Sequence, residues 1–199
     1  MMYDVAIIGA GASGLMLASL LKDKKVCLID SNANIGAKIK ISGGGKCNIT
    51  NNKVSSNNYL GDANFIQPIL NEFDSKAFLE FCKIHNLSVN LNEKLVRGTY
   101  FCNTSNDVLS LFAKLTSHCK YYMNTNVLDV TYDSKYILKT TTAKIECKQL
   151  IIASGGLSFT NLGASSIAFD IAKKFNHKVN VLNPALVGFT VQKEQFWFK

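Results

Sequence analysis

Two periods of hydrophobic recurrence run along this chain, and the switch between them divides it. Tyr3 to Ile8 (YDVAII) is a short apolar run that stops at a glycine, the pattern of a strand buried on both faces. From Ser13 to Lys22, Leu15, Leu17, Ala18 and Leu21 recur without a breaker and predict a helix, and Lys25 to Asp30 (KVCLID) reads as a second buried strand. Strand, helix and strand make a βαβ unit, whose right-handed crossover predicts a parallel sheet. Residues 31–61 are polar and rich in Asn, Ser and Gly, which reads as a long functional loop.

Helical spacing returns with Phe65, Ile66, Ile69, Leu70 and Phe73, against which Pro68 argues. A further helix carries Phe78, Phe81, Cys82 and His85 after a cap at Asp74 or Ser75, and another carries Val108, Leu109, Phe112 and Leu115 after Ser105. From Val127 the period becomes two: VLDVTY, a turn at Asp133-Ser134-Lys135, YILKTT and KIECKQLIIAS. That predicts a small antiparallel meander whose last strand runs back into the main sheet. Ile167, Ala168, Ile171, Ala172 and Phe175 predict a final helix.

Composition narrows the class. A chain of 199 residues with 47% hydrophobic and 18% charged residues is a folded globular chain, not a disordered one. The net charge of +8 suits an anionic partner, although lysines such as Lys22, Lys24, Lys25, Lys173 and Lys174 also read as ordinary solubilising helix ends. Six cysteines (Cys27, Cys47, Cys82, Cys102, Cys119, Cys147) form no C-x-x-C pair, so neither a zinc site nor a disulfide framework is expected. Reduced thiols point to a cytoplasmic protein. The apolar run Val5 to Leu21 follows an aspartate and carries three glycines, which fits neither a signal sequence nor a membrane span.

The chemistry begins at Gly9-Ala10-Gly11-Ala12-Ser13-Gly14, a G-x-G-x-x-G between a predicted strand and a predicted helix. In such a fingerprint Gly9 allows the tight turn, Gly11 lets backbone approach a pyrophosphate, and Gly14 lets helix and strand pack closely. The helix start offers free N–H groups and partial positive charge to phosphates. Asp30 ends the next strand where a ribose-binding acid is expected. A dinucleotide site follows, on an α/β, Rossmann-like fold with a parallel central sheet and a small antiparallel meander. A helix terminus alone is worth up to about 2 kcal/mol to an anion, against about 8 kcal/mol for micromolar affinity, so other segments must close over the ligand. AKIKISGGGKCNITN, residues 37–51, is one candidate: glycine-loop N–H groups can form an anion-binding concavity, or the stretch is a flexible surface loop.

A resemblance decides between those two. Lys38 to Asn51 resembles the K-x-x-x-SGGG-R-CN-x-TN signature of a family of bacterial NAD(P)/FAD-dependent oxidoreductases of the aminoacetone-oxidase type, with Lys46 where arginine is usual. Ile151 to Phe159 (IIASGGLSF) is similar to the family's A-T-G-G-x-S-Y segment, and Pro184-Ala185-Leu186-Val187 to its P-A-L-V. The chain departs from the family at Ala164 to Phe169, where S-T-G-D-G-Y is usual. The resemblance implies FAD held by Gly9, Gly11, Ala12, Ser13, Gly14, Asp30 and Ser31. It places Lys38, Ser42, Gly43, Gly44, Cys47 and Asn48 of the triple-glycine segment, with Ala153, Ser154, Gly155 and Gly156, toward the pyrophosphate and flavin. Val127 falls where such folds bind adenine through backbone groups. The glycines of residues 43–45 are expected to let main chain lie against the flavin end.

The same resemblance implies a domain over residues 1–190, with residues 191–199 beginning an insertion or substrate domain, the chain being an amino-terminal piece that ends on an apolar Phe196-Trp197-Phe198-Lys199 cluster. A redox role for Cys47, its pKa lowered by Lys46, stands beside a packing role, since no resolving cysteine is visible in the sequence. His85, His118 and His177 are scattered and read as surface or helix-end residues. The leading function is flavin-mediated hydride or electron transfer with NAD(P)H as donor and a small molecule as substrate. Alternatives are a dinucleotide-binding module inactive by itself, and an RNA-modifying flavoprotein prompted by the charge. No RNA-binding motif supports the last, so neither a nucleic acid nor a membrane is expected as partner.

Overall fold

A computed structural model of the protein describes residues 2–94 and 97–183. The first half contains β1 (Met2–Ile8), α1 (Ala12–Leu20), β2 (Val26–Ile29), α2 (Ala37–Ile41), β3 (Asn48–Asn51), α3 (Ala63–Glu72), α4 (Ser75–Ile84) and β4 (Val89–Leu91). The second contains β5 (Thr99–Cys102), α5 (Ser105–Leu115), β6 (Lys120–Tyr122), β7 (Val127–Asp133), β8 (Lys135–Thr140), β9 (Lys144–Ile152) and α6 (Ile167–Lys174). The Pro184-Ala185-Leu186-Val187 stretch, the boundary at residue 190 and the Phe196-Trp197-Phe198-Lys199 cluster lie outside the described residues.

From Val5 to Ile8, β1 is apolar because both of its faces are covered. Val5 and Ile7 join Leu15, Ala18, Leu28 and Phe112 in one buried cluster, while Ala6 and Ile8 join Ile29, Leu138, Ile145 and Ile171 in the other. Full burial of an aliphatic side chain is worth about 1.5–3 kcal/mol. A one-residue slip of β1 would exchange its two faces, so the register is strongly fixed. The central sheet has six strands in the order β6-β2-β1-β9-β8-β7. β6, β2, β1 and β9 run parallel, and β8 is antiparallel to both β9 and β7. The predicted meander is therefore present, and β9 carries it into the main sheet, pairing from Met2↔Glu146 to Ile8↔Ile152.

Residues 31–61 differ from the bare loop expected. They contain α2, a 3-10 turn at Ser42–Gly45, β3 and a second 3-10 turn at Ser56–Asn58. β3 exists because β5, distant in sequence, pairs with it, and β4 pairs with the other edge of β5 in a separate antiparallel sheet. Short strands made by distant partners leave no local period to read.

α3 persists across Pro68, which lacks the N–H that would bond to the preceding turn. Asp62 caps this helix through Asn64 N–H, and Asp74 caps α4 through Ala77 N–H. α5 is capped by Thr104, one residue before the expected start. Its hydroxyl accepts from Asp107 N–H while the Asp107 carboxylate accepts from Thr104 N–H. Ser105 is then free to donate its hydroxyl to Lys40 O at 2.9 Å, tying α5 to α2. Among the described residues no helix is long and apolar enough to cross a membrane, and no cluster of His, Cys, Asp and Glu is arranged to hold a metal ion.

Candidate functional site

Parallel register brings three strand ends to one edge. Ile8 lies beside Ile29 on one side and Ile152 on the other, so the chain leaves β1 at Gly9, β2 at Asp30 and β9 at Ala153 along a single line. Gly9 N–H donates to Ile29 O at 2.8 Å and Ala153 N–H to Ile8 O at 2.7 Å, which holds the three exits together. In open α/β sheets ligands bind outside the carboxyl ends of the strands. Here those ends form the floor of a cleft of about 560 Å³.

Each glycine of the first turn has its own reason. Gly9 has φ +112°, and a Cβ there would lie 2.4 Å from Ala153 O. A Cβ on Gly14 would lie 1.9 Å from Gly9 O, so α1 packs on the turn only without a side chain. At Gly11 no atom lies within 4 Å of the Cβ position, so the space over that peptide is open to a ligand. Gly11 is also the N-cap of α1, and no side chain caps the helix. Its first amides, in Ala12 and Ser13, are left to the cleft.

Asp30 supports this turn from the next strand. One carboxylate oxygen accepts from Ala10 N–H at 2.7 Å, and the other accepts from Asn32 N–H at 2.8 Å and from the Asn32 side-chain amide at 2.9 Å. That same amide donates to Leu162 O at 3.2 Å, which fastens the segment before α6 over Ser31 and Asn32.

The second wall comes from residues 37–48. Lys38 reaches across the cleft, its Nζ 4.0 Å from the Cβ position of Gly155, and it pairs with no carboxylate among the described residues. Gly43 and Gly44 both take left-handed conformations, φ 57° and 64°. This reversal returns the chain so that Ser42 Oγ accepts from Asn48 N–H at 3.3 Å. Ser42, Cys47 and Asn48 thus line the cleft, whereas Gly43 and Gly44 make the reversal that joins them.

Lys46 does not activate Cys47. Its ammonium lies 5.5 Å from the centre of the Phe101 ring, and burial pushes the Cys47 thiol up, not down.

Of the sequence-predicted residues, Gly9, Gly11, Ala12, Ser13, Asp30, Ser31, Lys38, Ser42, Cys47, Asn48, Val127, Ala153, Ser154 and Gly155 line this one cleft. Gly14, Gly43, Gly44 and Gly156 do not. Sequence reasoning missed Asn32, Thr125, Asn126, the 162–167 segment and Asp170. Only Asn32, next to the strand-ending acid, carried a local signal. Ser166 occupies the cap position of α6 but donates to Asp170 at 2.6 Å and makes no capping bond.

The cleft fits a dinucleotide. The peptide face at Gly11 is unobstructed, α1 starts uncapped, Lys38 supplies a cation, and Ser154 Oγ is buried without a hydrogen-bond partner among the described residues.

Comparison with known proteins gives the family. The HI0933-like protein Rossmann domain matches residues 3–192. The Escherichia coli ribosomal RNA dihydrouridine synthase is 33% identical over 96% of this chain and 49% of its own length. The Clostridium scindens 3-dehydro-bile acid delta(4,6)-reductase is 29% identical over 98% of this chain and 49% of its own length. The chain thus spans about half the length of the curated relatives it matches. The crystal structure of Thermovibrio ammonificans THI4 superposes with a TM-score of 0.55 at 11% identity, covering 89% of this chain and 64% of that one, which shows the shared fold. With its glycine turn, strand-end cleft and family match in agreement, the chain belongs to the HI0933-like protein Rossmann-domain family.

Proposed function

We propose that the chain holds FAD along the cleft and serves an NAD(P)H-dependent reductase that saturates a carbon–carbon double bond conjugated with a carbonyl. The observation that carries this reading is the convergence of the first glycine turn, Lys38 and the Ala153–Gly155 exit on one cleft.

The residues divide the work. Ala12 and Ser13 amides meet the pyrophosphate, with Gly11 leaving room for it. Asp30 keeps the turn in shape through Ala10 N–H, while its neighbours Ser31 and Asn32 offer polar groups to the ribose. Thr125 to Val127 meet the adenine. Lys38, Ser42, Asn48 and Ser154 face the other end, where Lys38 balances negative charge and Ser154 gains the partner its hydroxyl lacks. FAD, when bound, supplies hydride transfer, and the protein supplies position and polarity.

The relatives point to the substrate class. Dihydrouridine differs from uridine by saturation of one ring double bond next to a carbonyl, and the other relative's name also specifies reduction of ring double bonds. A uracil ring in RNA is favoured by the 33% identity and by the net charge of +8. Lys38, Lys40 and Lys53 pair with no carboxylate among the described residues, which leaves their charge for phosphates. A small cyclic enone is the second reading, favoured by the bile acid reductase.

The test is direct. The purified chain should show flavin absorbance after FAD is added and excess is removed, and should release it on denaturation. Unmodified ribosomal RNA with NADPH should then gain two hydrogens on a uridine, read by mass spectrometry. Flavin uptake without NADPH oxidation would make the chain a dinucleotide-binding module that is inactive by itself. Absence of flavin bands would end the reading.

A further inference from the structure

Cys47 opens on the cleft, and the fold sets other thiols behind it. Asn48 pairs with Phe101 in the β3/β5 ladder, and Cys47, just before β3 with a left-handed φ of 56°, lies beside Cys102, the last residue of β5. Cys102 N–H is shared between Lys46 O at 3.0 Å and Cys47 O at 3.2 Å, and both cysteines belong to one buried apolar cluster. A direct backbone hydrogen bond between the two residues keeps their Cα atoms near the range of about 4.4–6.8 Å that a disulfide spans. Cys82 of α4 is buried nearby: charge on Cys47 raises the pKa of Cys82 as well as that of Cys102.

The remaining thiols are placed differently. Cys27 and Cys147 sit on β2 and β9 with β1 between them, and Cys119 is half-exposed.

Access is one-sided. Cys102 is fully buried and Cys47 is 6% exposed, so an oxidant reaches this pair only from the cleft. Burial pushes the Cys102 thiol up to about 12 and raises Cys47 too, which keeps both protonated at neutral pH and slow toward bulk oxidants. The cleft's own cofactor is an oxidant of the required kind.

We propose that Cys47 and Cys102 form a reversible disulfide couple that exchanges an electron pair with FAD in the cleft. This rests on the FAD site described above. In the oxidising direction two S–H bonds break and one S–S bond forms. Two electrons and one proton pass to oxidised FAD, and the second proton leaves to water. In the reverse direction the S–S bond breaks and Cys47 and Cys102 take up two electrons and two protons to return as thiols, for which FAD, when bound and reduced, would be the donor.

The test uses the full chain loaded with FAD. After exposure to air, digestion without reductant should yield a peptide linking Cys47 to Cys102, found by mass spectrometry. Anaerobic titration with dithionite should consume twice as many reducing equivalents per FAD as the same titration of C102S, which keeps the flavin spectrum. A link from Cys47 to Cys82 in place of Cys102, no link at all, or equal uptake by both proteins overturns the couple. A chain that takes up no FAD overturns the cofactor site along with it, whereas flavin uptake without the linked peptide overturns the couple alone.

Discussion

Gly9, Gly11 and Gly14 are the same residue type in one short turn, yet a methyl group meets something different at each. At Gly14 it would meet backbone 1.9 Å away, which only a shift of α1 relieves. Gly14→Ala should therefore cost about 1–3 kcal/mol in stability, the range for overpacking, and lower the melting temperature by several degrees. At Gly11 the φ of −86° suits any residue and the space is open, so Gly11→Ala should leave melting nearly unchanged while weakening FAD binding. Thermal unfolding and an FAD titration of both variants check this contrast. It is wrong if Gly11→Ala unfolds as readily as Gly14→Ala, or binds FAD like the parent.

Helix caps sort the elements by purpose. α3, α4 and α5 stand away from the cleft and carry side-chain caps from Asp62, Asp74 and Thr104. α1 and α6, whose first residues line the cleft, carry none. A side-chain cap fills the donors that a ligand would use, so the uncapped starts belong to the binding elements. Removing a structural cap should have a purely structural effect. Thr104→Ala should lower stability by about 0.5–2 kcal/mol, seen as a lower urea midpoint with an unchanged slope. Because Ser105 bonds Lys40 O from the first turn of α5, the same variant should also loosen α2, seen as faster amide exchange over residues 37–41.

Across the whole molecule, titration sets the pH limits of stability. Asp4, Asp129 and Glu146 are each held below the usual carboxylate range, chiefly by hydrogen bonds from Lys148, Lys174 and Lys135. Their contribution is present above the ordinary carboxylate pKa and is lost as pH falls below about 4. These pairs are exposed, so salt should flatten this limb. Burial raises the thiols in the opposite sense: Cys27 and Cys102 to about 12, and Cys82, Cys119 and Cys147 to about 11. The unfolded chain ionises these thiols first, so stability is full below the ordinary thiol value of 9.0 and declines as pH rises beyond it. Urea unfolding under reductant at a series of pH values should give a plateau between these limbs, with added salt changing only the acid side. A flat profile through pH 11 would contradict the burial of the thiols.

Sequence by itself determined the βαβ start, the meander, the main helices and the two glycine segments, because each is written within a few neighbouring residues. Period, caps and turn glycines are local quantities. Tertiary structure alone decided that β3 and β5 pair, that Gly43 and Gly44 reverse the chain between Ser42 and Asn48, and that Cys102 lies beside Cys47. It also decided that Asp30 spends its carboxylate on Ala10 and Asn32. Each of these depends on which distant segments share an edge or a face. That is fixed by burying apolar area from the whole chain at once, and no window of the sequence contains it.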